Sequence, residues 1–182
     1  VLAVREAAIA KGDEELVAFI DVGRFTGMRL AEIGALSANS IETVDGIECF
    51  RVKLDAKTKK SAGRLVPIAR GLRTLLKLTD FNFERRENAV GKRFGRLKSE
   101  VLSDGKDRRK CFHSIRKFVT TALEQAGIPE GVAADLVGHE KQTITYGVYS
   151  GGSALTQIAQ AVAVLDDKQP VPQDGNVLRF RG

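Results

Sequence analysis

The spacing of apolar residues changes once along this chain, and that change most limits the folds open to it. Before residue 41 and after residue 70, apolar side chains recur every three or four residues, as in helices packed on a core. From Ile41 the interval shortens to two, and Asp45-Gly46 separates the alternating runs IETV and IECFRVKL, with RLVPI further on. Asp-Gly between such runs is typical of a hairpin. We therefore predict a mostly helical α+β domain with a small three-stranded antiparallel sheet at one edge.

Length and periodicity together predict one globular domain. The chain has 182 residues, 43% of them hydrophobic, which is enough for one sizeable core. We expect a linker or the end of a preceding helix over 1–13, the domain over 14–165, and a flexible, Pro- and polar-rich tail over 166–182. Helical spacing predicts helices over residues 14–24, 30–36, 70–78, 85–102, 114–127, 130–137 and 154–165.

Basic residues are concentrated in the middle of the chain. The segment 51–117 holds 21 Lys and Arg against 7 Asp and Glu, whereas the remainder holds 8 against 16, and the whole chain carries a net charge of +6. Lys and Arg are usually only solvated, but a block this one-sided favours a phosphate-backbone partner. We expect double-stranded DNA as that partner.

The two cysteines, Cys49 and Cys111, form no C-x-x-C pair, and the chain has no apolar span or signal-like start. A reduced, cytoplasmic protein without membrane contact is expected. A zinc site built from the two cysteines and two histidines would have a spacing that fits no usual ligand pattern. We therefore expect no metal and no cofactor.

The segment 112–149 contains both histidines and both tyrosines of the chain. His113 and Arg116 lie one turn apart at the start of a predicted helix, where unpaired backbone N–H groups favour an anion such as phosphate. His139 follows the end of the next predicted helix, and Tyr149 lies in a short stretch that ends in two glycines. Each residue alone is more often a packing or surface residue, but their occurrence together favours a site.

Four motifs in this order resemble the catalytic-domain motifs of the tyrosine recombinases, the phage integrase family. They are TGMRLAEIGAL with Arg29 and Glu32, HSIR with His113 and Arg116, LVGHE with His139, and YGVYSGG with Tyr149. The resemblance extends over roughly residues 14–163. It implies a site-specific recombinase, an enzyme that breaks and rejoins DNA strands without a metal.

The resemblance also implies a role for each matched residue. Arg29 and Arg116 would neutralise the phosphate, His139 would donate a hydrogen bond to it, and His113 would assist proton movement at the nucleophile. Tyr149 would attack and form a 3′-phosphotyrosyl bond. A lysine on the second hairpin, Lys57 with Lys59 in reserve, would protonate the leaving 5′ oxygen. Glu32 would orient the site.

Further basic residues are candidates for DNA contacts. These are Lys59 and Lys60 on the hairpin tip and Arg86, Arg93 and Arg96 on the polar face of the helix predicted over 85–102. The resemblance implies a homo-oligomer on DNA, most simply a tetrameric synapse, in a prophage or mobile-element integrase with a DNA-binding domain upstream. Two alternatives stay open, a type IB topoisomerase and a DNA-binding module without catalysis.

The last predicted helix carries a narrow apolar stripe. It is formed by Leu155, Ile158, Val162 and Leu165, which recur at helical spacing. A stripe of this width suits docking into a groove better than full burial. In the family such a segment often packs on a neighbouring protomer, which is the expectation here.

Overall fold

A computed structural model describes residues 1–52, 64–75, 81–102, 110–139 and 153–168, and within them it shows eight α-helices and one sheet. The helices are α1 Leu2–Ala10, α2 Glu14–Thr26, α3 Leu30–Ile33, α4 Arg70–Leu75, α5 Glu87–Val101, α6 His113–Gln125, α7 Glu130–Val137 and α8 Leu155–Lys168. The strands are β1 Ile41–Val44, β2 Ile47–Val52 and β3 Arg64–Pro67. The α+β prediction is confirmed.

The sheet is antiparallel in the order β1-β2-β3, as the alternating runs predicted. Asp45 and Gly46 have φ values of 51° and 77°, the left-handed pair that a two-residue hairpin turn requires. Phe50, Val52 and Val66 are buried and join the sheet to the helices. Since Val52 pairs with Arg64, the first residue of β3 stands at the base of the second hairpin.

Helix α2 lies at the centre of the domain. Every residue from Leu16 to Thr26 is buried, and α2 contacts α1, α3, α4, α5, α6 and α8. The Asp13 side chain accepts the Leu16 N–H at 3.1 Å and so caps its start. It ends at Gly27, where φ is +65° and a Cβ would lie 2.6 Å from Cγ1 of Val137. Only glycine therefore allows α2 to end this close to α7.

Two of the predicted helix boundaries differ from the structure for local reasons. Helix α3 stops at Ile33, and the turn that follows brings Gly34 against the Glu87 side chain, leaving no room for a Cβ there. Helix α5 begins at Glu87, because Arg85 has a φ of 62° that no helix accommodates. Helix α4 is described to Leu75, and the rest of its predicted span lies outside the described residues.

The first residues of the chain are helical and belong to the core. Residues 2–10, where we expected a linker or the end of a preceding helix, form α1, and Val4 and Ala8 are buried against the rest of the domain. Arg5 of α1 donates to the fully buried Asp21 at 2.7 and 3.0 Å, and Arg24 donates to the same carboxylate at 2.5 Å. These ion pairs tie α1 to α2.

Helix α8 packs on its own domain, which corrects the expectation that its stripe docks on another protomer. Ile158, Val162 and Leu165 are buried together with Ala161, and the helix contacts α6, α7 and β3. Ala161 widens the stripe, which is why it fits the core. The buried Asp166 accepts the N–H groups of Arg70 and Gly71 at 2.9 and 3.0 Å and so caps α4. Residues 169–182, most of the predicted tail, lie outside the described residues.

This packing predicts that α8 stabilises the isolated chain. Leu165→Ala should lower the free energy of unfolding by about 2–5 kcal/mol, the usual effect of emptying a fully buried leucine site. Thr156→Ala, at an exposed position of the same helix, should change it by less than about 0.5 kcal/mol. Urea denaturation at low protein concentration measures both. Equal stability of the two variants would contradict this packing and favour docking of α8 on another protomer.

Candidate functional site

The structure brings four of the predicted site residues to one end of the domain. Arg29 immediately precedes α3, His113 is the first residue of α6, Arg116 lies one turn further on, and His139 follows the end of α7. Lys57, Lys59, Lys60 and Tyr149 lie outside the described residues.

Arg116 is at the centre of this group. Its side chain is almost completely buried, with 2% of the residue exposed. Nη1 donates to the backbone oxygens of Gly27, at 2.8 Å, and Val137, while Nε donates to Nε2 of His139 at 3.1 Å. Nη2 is also buried, and within the described part of the chain it has no hydrogen-bond partner. Burial, with the nearby charges of Arg29 and Arg64, lowers the pKa of Arg116 to about 10, although Glu32 opposes this.

Arg29 approaches the same place from α3. Its backbone N–H and Nη1 donate to the Glu32 carboxylate at 2.7 and 3.1 Å, and Nη2 donates to the Gly138 carbonyl at 3.3 Å. The side chain remains 45% exposed, so its guanidinium can still reach a ligand from solvent. Burial would raise the pKa of Glu32, but hydrogen bonds and charges from Arg64 and Arg29 outweigh it and lower that pKa. Glu32 is therefore ionised.

A third arginine that sequence reasoning did not single out joins the group. Arg64 at the start of β3 donates from Nη1 and Nη2 to the two oxygens of Glu32, at 2.7 and 2.9 Å. In the sequence Arg64 is one more cation in a basic segment. The signal that could have found it is its place as the first residue of an otherwise apolar strand that leaves the lysine hairpin.

His139 is held at the end of α7 by a left-handed glycine. Gly138 has a φ of +72°, and its backbone and that of His139 donate to the Ala134 carbonyl at 2.8 and 2.9 Å. Because Nε2 of His139 accepts from Arg116, the imidazole is neutral with its proton on Nδ1. Burial lowers the pKa of His139, and so do the charges of Arg116, Arg29, His113 and Arg64.

The arginines proposed as additional DNA contacts belong to α5 and the residue before it. Arg93 pairs with Asp13 at 3.1 Å and also with Glu15, and Arg86 lies 3.6 Å from Glu15. Arg96 borders a shallow groove on the outer face of α5 with Lys92, Gly95, Ser99 and Glu100. Arg86 and Arg93 therefore face acidic partners on and beside α2, which any DNA phosphate would have to displace or share.

A family model described as the phage integrase family matches residues 4–153. The chain belongs to the phage integrase family. No curated protein and no solved structure gives a significant match. Membership supports DNA breaking and joining of the tyrosine-recombinase type and implies DNA binding.

Among the described residues, no three His, Cys, Asp or Glu side chains come close enough together to hold a metal ion. In the same part of the chain, none of the helices combines the length and the apolar character needed to cross a membrane.

The lowered pKa of His139 predicts a pH dependence of stability. The folded protein resists protonation of His139, so its stability should be full above about pH 6.5 and decline as the pH falls toward the lowered pKa. His139→Gln, which keeps an oxygen acceptor for Arg116 but does not titrate, should flatten this decline in urea midpoints between about pH 7.5 and 5.5.

His113→Gln is the matched control, since it removes the other imidazole of the chain. We expect it to keep most of the decline, because burial and the arginine charges, which remain, contribute to lowering the pKa of His139. A decline that persists undiminished in His139→Gln would show that another group controls the acid sensitivity.

Proposed function

We propose that this chain is a site-specific DNA recombinase, the integrase of a prophage or other mobile element, that acts through a 3′-phosphotyrosyl intermediate. The observation that carries the proposal is the buried Nη2 of Arg116, which has no hydrogen-bond partner among the residues that the structure describes. A buried guanidinium N–H without an acceptor costs about 1–3 kcal/mol or more, so it favours an incoming anion. Arg29 and His139 lie beside Arg116, and membership of the family implies that the anion is a DNA phosphate.

The local charge supports the same conclusion. Arg29, Arg64 and Arg116 place three guanidinium groups around one ionised carboxylate, Glu32. The excess of positive charge in a partly desolvated pocket suits a phosphodiester, and it suits still better the pentacoordinate phosphorane that carries more negative charge. Nδ1–H of His139, on the ring nitrogen that is not bonded to Arg116, adds a neutral donor.

The reaction follows from these groups together with Lys57 and Tyr149. The Tyr149 hydroxyl attacks phosphorus, its proton passes toward His113, and the bond from phosphorus to the 5′ oxygen breaks as Lys57 donates a proton to that oxygen. Arg29 and Arg116 hold the non-bridging oxygens throughout. The phosphotyrosyl bond conserves the energy of the broken linkage, so the 5′ hydroxyl of a second strand can reverse the reaction.

Strand exchange needs two cleaved duplexes side by side. We therefore propose that the chain acts on double-stranded DNA as a homo-oligomer, with four copies in the synapse, in the cytoplasm of its host. Because most of the described cations would meet phosphates rather than base edges, the sequence preference is expected to come mainly from contacts outside this site.

The nucleophile gives the first test of this proposal. On a nicked DNA substrate that traps the covalent complex, Tyr149→Phe should form no protein–DNA adduct while its affinity for the duplex stays within about threefold of wild type, because only the hydroxyl is lost. Tyr146→Phe is the control, three residues away in the same segment. An adduct that survives in Tyr149→Phe but disappears in Tyr146→Phe would assign the nucleophile to Tyr146.

The same adduct gel, together with assays of supercoil relaxation and strand exchange, separates the two alternatives. Binding without any adduct from the unmodified chain would identify a silent DNA-binding module. Adducts with supercoil relaxation but no exchange between two recognition sites would identify a topoisomerase.

The general acid gives the second test. Removing a general acid costs about 10²–10⁴ in rate, but a 5′-phosphorothiolate leaves as a thiolate and needs no proton. Lys57→Ala should therefore cleave a normal strand about 10²–10⁴ times more slowly than the unmodified protein. It should cleave a phosphorothiolate strand at nearly the unmodified rate. Arg116→Ala should stay defective on both, because the phosphate charge remains.

Lys59→Ala is the matched control on the same hairpin. If the phosphorothiolate strand restores cleavage by Lys59→Ala and not by Lys57→Ala, the general acid is Lys59. Failure of sulfur to rescue either variant would leave both lysines as DNA-binding groups.

A further inference from the structure

Arg64 makes hydrogen bonds to two separate parts of the site. Its Nη1 and Nη2 donate to the two oxygens of Glu32 at 2.7 and 2.9 Å, and its Nε donates to the Leu136 carbonyl at 3.4 Å. The side chain is 11% exposed, so the ion pair is largely removed from water. A buried, two-pronged arginine–carboxylate pair fixes direction as well as distance, which a lysine's point charge does not.

Each hydrogen bond of Arg64 ends on a residue that contacts another site residue or lies next to one that does. Glu32 accepts the backbone N–H and Nη1 of Arg29, at 2.7 and 3.1 Å. Leu136 lies in the last turn of α7, directly before Val137, whose carbonyl accepts Nη1 of Arg116. Arg64 therefore connects the position of Arg29 to that of Arg116 across the sheet and two helices.

The fit at Gly138 shows how closely Arg64 is packed. A Cβ built on Gly138 would lie 2.8 Å from both Cζ and Nη1 of Arg64. The guanidinium plane thus lies directly on the backbone that leads into His139, and the Gly138 carbonyl accepts Nη2 of Arg29 at 3.3 Å. Gly138, the residue before His139, is therefore in contact with both Arg64 and Arg29.

We propose that Arg64 is a positioning residue of the recombinase reaction, acting through Glu32 and the end of α7 to set Arg29 and His139 around the phosphate. This inference rests on the proposed function. The three nitrogens of Arg64 already donate to Glu32 and Leu136, so its effect on the phosphate is exerted through those bonds. It also stands at the first residue of β3, so it ties the base of the lysine hairpin to the site.

The test is single-turnover cleavage of a nicked DNA substrate at saturating protein. Arg64→Ala should cleave about 10²-fold more slowly, because displacement of catalytic groups by about an ångström has that effect. Its affinity for the duplex should stay within about threefold, since the effect of Arg64 on the phosphate is exerted through Glu32 and Leu136. Glu32→Gln should also be slow, and the double variant should be no slower than the worse single variant, because both act through one linkage.

Arg51→Ala is the matched control. Arg51 pairs with Glu42 across the first two strands of the same sheet, with one N–O distance of 2.6 Å, so Arg51→Ala removes another arginine–carboxylate pair from that sheet. It should cleave at the unmodified rate. Arg64→Ala cleaving within threefold of the unmodified rate, or fully additive effects of Arg64→Ala and Glu32→Gln, would overturn the proposal.

Arg64→Lys covers the case in which Arg64→Ala does not fold. Lysine keeps the charge and stem but cannot bridge both Glu32 oxygens and Leu136 at once. We expect it to remain at least about tenfold slow while its circular dichroism matches that of the unmodified protein. A normal rate would show that a point charge suffices and would refute the positioning role.

A titration without DNA separates this proposal from the proposed function. The chain has two histidines, so the imidazole of His139 can be followed by NMR. Loss of Arg64 should raise the pKa of His139, because a neighbouring cation is lost and Glu32 gains freedom to approach, whereas Arg51→Ala should leave it unchanged. If the unmodified chain forms no adduct, the recombinase proposal fails and this pKa alone decides whether Arg64 acts on His139. An unchanged pKa in Arg64→Ala would refute that action.

Discussion

The burial of the Arg116 guanidinium is the constraint on which the rest of this site depends. A cation taken out of water is tolerated only when its donors meet acceptors. Here the backbone oxygens of Gly27 and Val137 and the imidazole of His139 supply them, while Nη2 finds no acceptor among the described residues. The protein thus holds a charged group in a place where one more acceptor, an anion, completes its bonding. Burial also lowers the pKa of Arg116 to about 10, which still keeps it charged at neutral pH.

Two glycines make that arrangement possible. Gly27 and Gly138 both have left-handed φ values, +65° and +72°, and both end helices whose last turns face Arg116. A side chain at Gly27 would collide with Val137, and one at Gly138 would collide with the Arg64 guanidinium. The site is therefore built from helix ends brought together closely enough for their carbonyls to solvate one arginine. The remaining charge is balanced locally by Glu32.

Local patterns predicted much of this molecule, and long-range packing explains what they missed. The bounds of α7 were predicted to the residue, because Ile128-Pro129 and Gly138 mark both ends, and the Asp45-Gly46 hairpin was equally clear. Arg64 was missed because its partners Glu32 and Leu136 lie 32 and 72 residues away. The docking of α8 was misjudged because Ala161 gives little apolar signal although it is fully buried. The order of motifs named the site residues, but no pattern shows which of their donors remains unpaired.

The most direct test of the central claim is a crystal structure of this chain bound to a DNA duplex that carries a phosphate at the cleavage position. The account predicts a non-bridging phosphate oxygen within hydrogen-bonding distance, about 2.7–3.2 Å, of Nη2 of Arg116, with Arg29 and His139 on the same phosphate. A phosphate bound elsewhere, with Nη2 of Arg116 satisfied by an atom of the protein, would contradict it.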